Sequence, residues 1–325
     1  MKIIHLLLGK ANPNTMNGVN VVVHNLATAQ LEQGLDVEVW GITNTPTKIH
    51  HKFDYELKLF QKKKVPFFID TALKEKILEL KVDTIVQIHS AFIPEFFAIT
   101  RILNKLSIPY VVTSHGAYDK ATMNDKKIKK SIYFKLFEYK ILNSATLLHF
   151  MGKNEKINIE KMGISTKKVL IPNGVEKINL NSVDKKNTNI TFLYCGRIAI
   201  YHKGLDLLVS AFISYKSHGG KGILKLIGDG PELNVLINQA ESFGRLSNSI
   251  QFLGKKFSND KLEVLSSSDV FIHTSRHDGM PIAVLEAAEL SIPLLISEET
   301  NMGTYVRKYN AGIVLENNNT DNLEK

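Results

Sequence analysis

The segment VFIHTSRHDGMPIAVLEAAELSIPLLI, residues 270–296, decides the fold class of this chain. An apolar run predicts a buried strand at Val270–His273, helical spacing predicts a helix at Ile282–Leu290, and a second apolar run follows at Pro293–Ile296. A strand, a helix and a strand in this order are typical of a βαβ unit with parallel strands.

The same alternation recurs along the rest of the chain. The other predicted strands lie at Ile3–Leu8, Val37–Ile42, Thr84–His89, Tyr110–Ser114, Leu147–Met151, Val169–Ile171, Thr191–Cys195, Ile223–Ile227, Ile250–Leu253 and Gly312–Leu315. The other predicted helices lie at Gly18–Gln33, Thr71–Leu80, Pro94–Leu106, Lys127–Leu142, Lys153–Met162, Gly204–Ser217, Pro231–Phe243, Asn259–Ser267 and Gly303–Lys308. The sequence therefore predicts an α/β protein with doubly wound, Rossmann-like sheets.

A polar run at residues 182–189, SVDKKNTN, lacks apolar periodicity and predicts a linker. It would join an N-terminal domain at residues 1–181 to a C-terminal domain at 190–325, which agrees with roughly 150 residues per domain. Ligands of doubly wound sheets bind beyond the carboxyl ends of the strands, and two facing sheets would form a cleft.

Charge and cysteine content exclude several classes of protein. Residues 1–180 carry 26 Lys and Arg against 16 Asp and Glu, whereas residues 181–325 carry 15 against 16. The basic half lacks basic motifs interleaved with aromatic residues, which disfavours nucleic-acid binding. The single cysteine, Cys195, excludes an internal disulfide and a Cys-based metal cluster, and favours a cytoplasmic setting. No apolar stretch approaches the roughly 18–20 residues that cross a bilayer, so we expect any membrane contact to be peripheral.

The first turn, GKANPNTMNGV at residues 9–19, lacks the G-x-G-x-x-G pattern of a dinucleotide site. Gly18 at the start of the next helix still leaves backbone N–H groups open to an anion. A plain helix cap by Asn17 explains the same residues about equally well.

Two cations follow the first strand of the second half. Arg197 and Lys203 lie at the carboxyl end of a strand and at the start of a helix, where together they could hold a diphosphate without a metal. Solvated surface cations are the alternative for each one alone. Further on, Gly228 in the run GDGP would allow a flat ligand to approach the backbone closely, although a tight turn explains the run almost as well.

The opening segment also carries two carboxylates. Asp278 precedes the predicted helix and Glu286 lies inside it, with Gly279, Met280 and Pro281 exposing backbone amides at its start. Carboxylates accept hydrogen bonds from hydroxyl groups, so the pair could bind a sugar and a ribose. Alternatively, Asp278 caps the helix and Glu286 lies on a solvated or salt-bridged face.

Six motifs follow one another along the chain: the Gly-containing first turn, Ser114-His115-Gly116, Ile171-Pro172-Asn173-Gly174-Val175, Gly196-Arg197 with Lys203-Gly204, the GDGP turn and the acid-x7-Glu pair. With these motifs in this order, the chain resembles the retaining GT-B glycosyltransferases of the family 4 (group 1) type. The resemblance covers essentially the whole chain. It implies two Rossmann-like domains and transfer of a sugar from a nucleotide sugar, with UDP- or GDP-linked donors expected, no metal and no separate cofactor.

The resemblance also implies roles for individual residues. Arg197 and Lys203 would bind the donor diphosphate and stabilise the leaving group. Glu286 would bind the ribose, and Asp278 with the Gly279–Pro281 amides would contact the transferred sugar. The acceptor would attack from the same face, and no residue is predicted to act as a covalent nucleophile.

Four further positions complete the implied site. His115 would face the sugar from the N-terminal domain, and Gly18 would close over the phosphates or the acceptor. Gly228 would allow the donor to approach the backbone. Phe257 would flank the base, although a lone Phe is more often a core or surface residue.

Two departures from the family pattern stand out. The family usually has Glu where this chain has Asp278, and the shorter side chain is expected to shift the sugar contact or to select another sugar. From the sequence given, we expect the helices that usually cross back to the first domain to be absent or incomplete.

The basic N-terminal half suggests where the acceptor resides. Lys62-Lys63-Lys64 precede the apolar run at residues 65–69, and KKIKKSIYFKLF at residues 126–137 combines lysines with apolar side chains. Such surfaces bind anionic lipids at about 1 kcal/mol per Lys. We therefore expect peripheral contact with the inner face of the membrane and a saccharide or lipid-linked saccharide acceptor, as in capsule, O-antigen or LPS assembly. An ordinary amphipathic helix packed on its sheet is the alternative.

Two other functions remain open from the sequence. A non-hydrolysing epimerase would act on a nucleotide sugar without an acceptor. A non-catalytic nucleotide-sugar-binding subunit would bind the donor without turnover.

Overall fold

The computed structural model describes residues 1–47, 51–178 and 189–324. The chain forms two compact units, Met1–Asn173 and Gly174–Lys325. Apart from Asn189, the predicted linker at residues 182–189 lies outside the described residues.

The first unit is built on a seven-stranded sheet in the order β3-β2-β1-β4-β5-β6-β7, and every pair of neighbours is parallel. Its strands are β1 (Lys2–Leu8), β2 (Asp36–Thr43), β3 (Glu56–Gln61), β4 (Thr84–His89), β5 (Tyr110–Thr113), β6 (Leu147–Phe150) and β7 (Lys168–Leu170). The edge strand β3 was not predicted, because apolar and polar or charged residues alternate in its sequence, ELKLFQ, and it lacks an apolar run.

Helices connect these strands. They are α1 (Gly18–Glu32), α2 (Thr71–Leu78), α3 (Pro94–Lys105), α4 (Lys120–Asn124), α5 (Lys127–Tyr133), α6 (Tyr139–Ser144) and α7 (Lys153–Lys161). The single helix predicted at Lys127–Leu142 is interrupted by a π-helical turn at Phe134–Glu138 and continues to Ser144. The short helix α4 was not predicted.

The second unit contains a six-stranded parallel sheet in the order β10-β9-β8-β11-β12-β13. Its strands are β8 (Thr191–Cys195), β9 (Ile223–Ile227), β10 (Ile250–Phe252), β11 (Val270–His273), β12 (Leu294–Ser297) and β13 (Gly312–Leu315). Its helices are α8 (Ile200–Lys203), α9 (Leu205–Ser217), α10 (Leu233–Glu241), α11 (Ser258–Ser266), α12 (Ile282–Glu289), α13 (Gly303–Tyr309) and α14 (Thr320–Glu324).

Both sheets are doubly wound, so the predicted α/β fold class is confirmed. The strand order reverses between β1 and β4 in the first unit and between β8 and β11 in the second. Ligands of doubly wound sheets bind at these switch points, beyond the carboxyl ends of the strands. Among the helices of the described ranges, none has both the length and the apolar character needed to cross a membrane.

Candidate functional site

The loops after β8 and β9 pack backbone against backbone. A Cβ atom on Gly228 would lie 1.9 Å from the carbonyl oxygen of Gly196, and one on Gly230 would lie 2.0 Å from that of Ile198. The N–H group of Ile198 donates to the carbonyl oxygen of Asp229 over 2.9 Å. Only glycine fits such an approach. The absence of a side chain at Gly228 is therefore needed for the path of the segment that carries Arg197. This structural role is independent of the predicted approach of a ligand to the backbone.

Lys203 is the last residue of the short helix α8, and two contacts fix that helix. At its start, the N–H group of Ile200 donates to Oε2 of Glu232 over 2.7 Å. At its end, Gly204 has a left-handed φ of 62°, and a Cβ atom there would lie 2.1 Å from the carbonyl oxygen of Thr274. The Thr274 hydroxyl donates to the carbonyl oxygen of Lys203 over 3.1 Å. Lys203 is thereby held against the loop that follows β11.

Asp278, in that loop, accepts hydrogen bonds from three side chains at one oxygen. Oδ2 receives the ammonium group of Lys203, Nε2 of His273 at 3.0 Å and the hydroxyl of Ser275 at 3.0 Å. Burial alone would raise the pKa of Asp278, but the charge of Lys203 and the hydrogen bonds from His273 and Lys203 outweigh it and hold the pKa far below its usual range. The site therefore contains a carboxylate paired with an ammonium group.

His273 is the last residue of β11 and is almost fully buried. Burial lowers its pKa, although the hydrogen bond to Asp278 acts in the opposite direction. A neutral ring that donates from Nε2 to Asp278 leaves a lone pair on Nδ1, and this buried atom has no partner among the described residues. Neither His273 nor Ser275 was predicted as a site residue, although both lie within residues 270–296.

The main chain of Asp278 is also anchored. Its N–H group donates to the carbonyl oxygen of Glu299 over 3.0 Å, and Nδ2 of Asn301 donates to its carbonyl oxygen over 2.6 Å. Met280 is buried, whereas Gly279 and Pro281 are half-buried at the start of α12. Residues 299–301 thus anchor both backbone polar groups of Asp278, and residues 278–281 are half-buried or buried.

Glu286 lies on α12 and forms an ion pair with Lys261 of α11, with 2.5 Å between Oε1 and Nζ. Both side chains are mostly buried, so a solvated face is excluded for Glu286, whereas the alternative of a salt bridge is what the structure shows. Phe257 precedes α11 directly and is half-buried. Lys261 was not identified from the sequence, because a single lysine on a predicted helix carries no signal of its partner.

Arg197 does not join this cluster. Its side chain is exposed, and among the residues that the structure describes no ion pair or hydrogen bond of its guanidinium group is found. Another arginine supports the neighbouring loop: Arg276 forms a bidentate pair with Asp206, with both N–O distances at 2.7 Å, and packs over the ring of Tyr201. The structure therefore brings Lys203 and Asp278 together, while the Arg197 side chain lies exposed at the exit of β8, without a partner in the described ranges.

Two predicted site residues belong to the first unit. Gly18 is the exposed first residue of α1, and the side chain of Asn17 accepts a hydrogen bond from the N–H group of Val19 at 3.1 Å. His115 lies two residues after β5, is half-buried and has a left-handed φ of 55°. Its Nε2 atom lies 3.0 Å from Nδ1 of His89.

Comparisons with known proteins agree with this architecture. The chain is 23% identical to an uncharacterised glycosyltransferase of Haemophilus influenzae over 97% of its length and 86% of the relative's. It is 26% identical to UDP-Gal:alpha-D-GlcNAc-diphosphoundecaprenol alpha-1,3-galactosyltransferase of Escherichia coli over 76% of its length and 66% of the relative's. The crystal structure of Anabaena HepE in complex with UDP has the same fold, with a TM-score of 0.74, 14% identity and coverage of 100% of this chain and 88% of that one.

Two family models divide the sequence between them. Residues 16–177 match the model of Glycosyltransferase Family 4, and residues 175–325 match that of Glycosyl transferases group 1. The chain is therefore a glycosyltransferase of the group 1, family 4 type, with the two Rossmann-like domains of the GT-B fold.

Proposed function

We propose that this chain transfers a hexosyl group from a UDP- or GDP-linked donor to a lipid-linked saccharide, with retention at the transferred carbon and without a metal. The observation that carries the proposal is the Lys203–Asp278 pair at the switch point of the second sheet. An ammonium group held there can neutralise a diphosphate.

In this proposal, Lys203 and Arg197 both stabilise the negative charge of the donor diphosphate, each in a different way. Asp278 and the Thr274 contact hold Lys203 in place before the donor arrives, so little reorganisation is needed when charge develops on the leaving diphosphate. The exposed Arg197 is free to form a bidentate contact with phosphate oxygens. These two cations would do what a metal does in other transferases.

Glu286 would bind the donor ribose by accepting hydrogen bonds from its hydroxyl groups. Its second oxygen remains for this role, because Lys261 contacts Oε1. The same ion pair keeps the carboxylate oriented. The Asp278 side chain, by contrast, is engaged at Oδ2 by three partners, and we propose that it serves the transferred sugar chiefly by holding Lys203 and the loop 278–281.

A lipid-linked acceptor is supported by a surface of the first unit. Ile128, Ile132 and Leu136 are 77%, 56% and 52% exposed and lie at intervals of four residues along α5 and the π-helical turn. Four exposed lysines flank them in the sequence: Lys126, Lys127, Lys129 and Lys135. We call these seven residues the basic apolar surface. Lys130, which lies among them in the sequence, is half-buried and donates to the carbonyl oxygen of Thr122. Apolar side chains ringed by lysines fit an anionic membrane, where both can be satisfied at once.

A cavity of about 600 Å³ opens next to this surface. Its apolar wall includes Met123, Phe134 and Met162, and four lysines line it: Lys120, Lys127, Lys135 and Lys161. This combination fits an amphiphile with an anionic head, such as a lipid diphosphate. The E. coli relative is named for a diphosphoundecaprenol-linked acceptor, which agrees with this chemistry.

The donor is tested by measuring binding and turnover of UDP-, GDP- and ADP-linked hexoses in EDTA. We expect one nucleotide class to bind, and transfer to a saccharide diphospholipid with retained configuration. Conversion of the nucleotide sugar into its epimer without an acceptor would contradict the proposed transfer reaction and indicate an epimerase. Binding without any turnover would leave only a donor-binding subunit.

Membrane contact is tested by sedimentation with vesicles at low salt. The wild type and Val82→Ser should bind vesicles that contain phosphatidylglycerol, because Val82 is 73% exposed but lies outside the basic apolar surface. Ile128→Ser/Ile132→Ser should bind several-fold more weakly. Equal binding of all three proteins, or none, would contradict a role for this surface.

A further inference from the structure

A chain of hydrogen-bonded side chains crosses the switch point of the first sheet. Nε2 of His5 lies 2.6 Å from Oε1 of Gln30, Nδ1 of His5 lies 2.9 Å from Nε2 of His89, and Nδ1 of His89 lies 3.0 Å from Nε2 of His115. His5 belongs to β1, and His89 is the last residue of the neighbouring strand β4. We call Gln30, His5, His89 and His115 the histidine relay.

All three rings of the relay are neutral at physiological pH. Burial lowers the pKa of His5 to about 4 and that of His115 to about 3. Burial lowers the pKa of His89 well below its ordinary value, and the neighbouring histidines His5, His115 and His149 act in the same direction. A neutral imidazole carries one proton, so one of its nitrogens donates and the other accepts.

The proton positions then follow from one end of the relay. The carbonyl oxygen of the Gln30 side chain only accepts, so the proton of His5 is on Nε2 and its Nδ1 accepts. His89 must therefore donate from Nε2, and its Nδ1 accepts from Nε2 of His115. The relay ends at Nδ1 of His115, which carries a lone pair.

The end of the relay is available to a ligand. His115 is half-buried, and no hydrogen-bond partner of its Nδ1 is found in the described part of the chain. The loop that carries it is fixed from the other side by the buried Glu155, whose Oε1 accepts from the N–H group of Tyr118 at 3.0 Å. A hydrogen-bond acceptor is thus presented on a rigid loop beyond the end of β5.

We propose that Gln30, His5 and His89 are positioning residues that hold His115 in its Nε2-protonated tautomer. That His115 faces a sugar is already implied by the family resemblance; the relay adds that Nδ1 is the atom that accepts a hydrogen bond from a hydroxyl group of that saccharide. The saccharide part rests on the proposed function. Phosphate oxygens and carboxylates cannot donate to Nδ1 at neutral pH, so this atom favours groups that donate, such as the hydroxyl groups of a saccharide. The hydroxyl group belongs either to the donor sugar or to the acceptor saccharide, and the kinetic measurement separates the two sources.

A second network in the same unit provides the control. Nε2 of His149 donates to the carbonyl oxygen of Ile171 at 2.9 Å, its Nδ1 accepts from the hydroxyl of Thr113 at 3.1 Å, and Gln87 donates to that hydroxyl at 2.8 Å. A backbone carbonyl therefore fixes this tautomer independently of Gln30. Gln87→Leu removes a glutamine of similar burial that takes part in none of the hydrogen bonds of the histidine relay.

The tautomers are read from the ring nitrogens by NMR of the full chain labelled with 15N-histidine. The wild type, Gln30→Glu and Gln87→Leu should each show His115 protonated on Nε2. Gln30→Lys should move the proton to Nδ1, because an ammonium group donates to His5 and reverses every link. A wild-type His115 protonated on Nδ1 would overturn the proposal even if the variants failed to fold, and so would a folded Gln30→Lys whose His115 tautomer is unchanged.

Kinetics then tests the saccharide contact. Reversing the proton positions of the relay places the N–H group of His115 Nδ1, a hydrogen-bond donor, opposite the substrate hydroxyl group. We therefore expect a rise of about 3- to 30-fold in KM for Gln30→Lys but not for Gln87→Leu. The rise appears in the KM of the UDP- or GDP-hexose if the donor sugar is bound, and in that of the saccharide diphospholipid if the acceptor is bound. A reversed tautomer with both KM values unchanged would overturn the contact. A wild type without turnover of any nucleotide sugar would overturn the proposed function and the saccharide contact, while the NMR result would still decide the relay.

Discussion

The ammonium group of Lys203 is hydrogen-bonded to the carboxylate of Asp278, which lies 75 residues further along the chain. The two side chains are 19% and 18% exposed, so the pair is largely shielded from solvent. Both charges lie where β8 and β11 end side by side. The pair therefore links the two loops of the second unit that the proposed donor site requires.

Removing either partner should leave the other charge half-buried and unpaired. We expect Lys203→Met and Asp278→Asn each to lower the free energy of unfolding by about 2–3 kcal/mol, and the double variant to lose about 2 kcal/mol less than the sum. Urea unfolding of the four proteins measures this coupling. Strictly additive losses would mean that the pair is not formed in solution.

Replacing Gly204 should be more costly than replacing Gly219, because only Gly204 lies close to a neighbouring backbone atom. Both have a left-handed φ, of 62° and 88°, but only at Gly204 would a Cβ atom meet a neighbour, the carbonyl oxygen of Thr274 at 2.1 Å. Gly219→Ala should cost about 1 kcal/mol of stability from backbone strain alone. Gly204→Ala should cost at least twice as much and also reduce turnover, because Lys203 moves. Thermal unfolding and initial rates measure both effects, and equal costs at the two positions would contradict the close approach.

Glu286 should contribute to donor affinity beyond its pairing with Lys261. Glu286→Gln is expected to raise the Kd of the nucleotide sugar about tenfold, as for a lost hydrogen bond to a charged group. Glu289→Gln, on the exposed side of the same helix, should leave the Kd unchanged. Calorimetric titration gives both values. The ribose assignment fails if the two variants bind the donor equally well.

Glu138 should make the first unit less stable as the pH rises. Burial raises its pKa to about 7, although hydrogen bonds from Tyr118 and Phe92 oppose this. Between the ordinary carboxyl pKa and about 7 the unfolded state releases its proton while the folded state retains it, so stability falls as the pH increases. Relative to the wild type, Glu138→Gln should gain up to about 3 kcal/mol between pH ~4 and pH ~8.

The control for this pH dependence is Glu160→Gln, on the exposed side of α7. Its difference from the wild type should not vary with pH. Chemical unfolding across the pH range decides the matter, and a constant difference for Glu138→Gln would show that this carboxyl ionises normally in the folded state.

The sequence predicted the strands closely, because buried parallel strands are short apolar runs. Thr84–His89, Thr191–Cys195 and Val270–His273 have the predicted bounds. Strand β3 and helix α8 escaped prediction because β3 is an edge strand with polar alternation and α8 is held by a distant contact, that of Ile200 with Glu232. Such contacts leave no periodicity in the sequence.

The candidate site was predictable only in part. Lys203 and Asp278 could be singled out because each lies in the connection between a predicted strand and the helix that follows it, but their pairing is a tertiary contact between segments far apart in sequence. The same holds for Lys261 with Glu286, and for His5 and His89, which read as core residues of their strands. The partner in each pair lies on another segment, which the order of strands in the sheet brings close. A single sequence reveals neither this strand order nor the geometry of the hydrogen bonds.

Release of nucleoside diphosphate from a UDP- or GDP-hexose in EDTA tests the central claim most directly, with the wild type, Lys203→Ala and Lys255→Ala compared in the presence of a saccharide diphospholipid. Lys255 pairs with the carboxylate of Asp229 at 2.6 Å and is 56% exposed, so it serves as the matched control. We predict that Lys203→Ala lowers turnover about 100-fold or more, as for loss of a group that stabilises the leaving charge, while Lys255→Ala remains close to the wild type. Near-wild-type release by Lys203→Ala, or release by the wild type only when a divalent metal is added, would contradict the account.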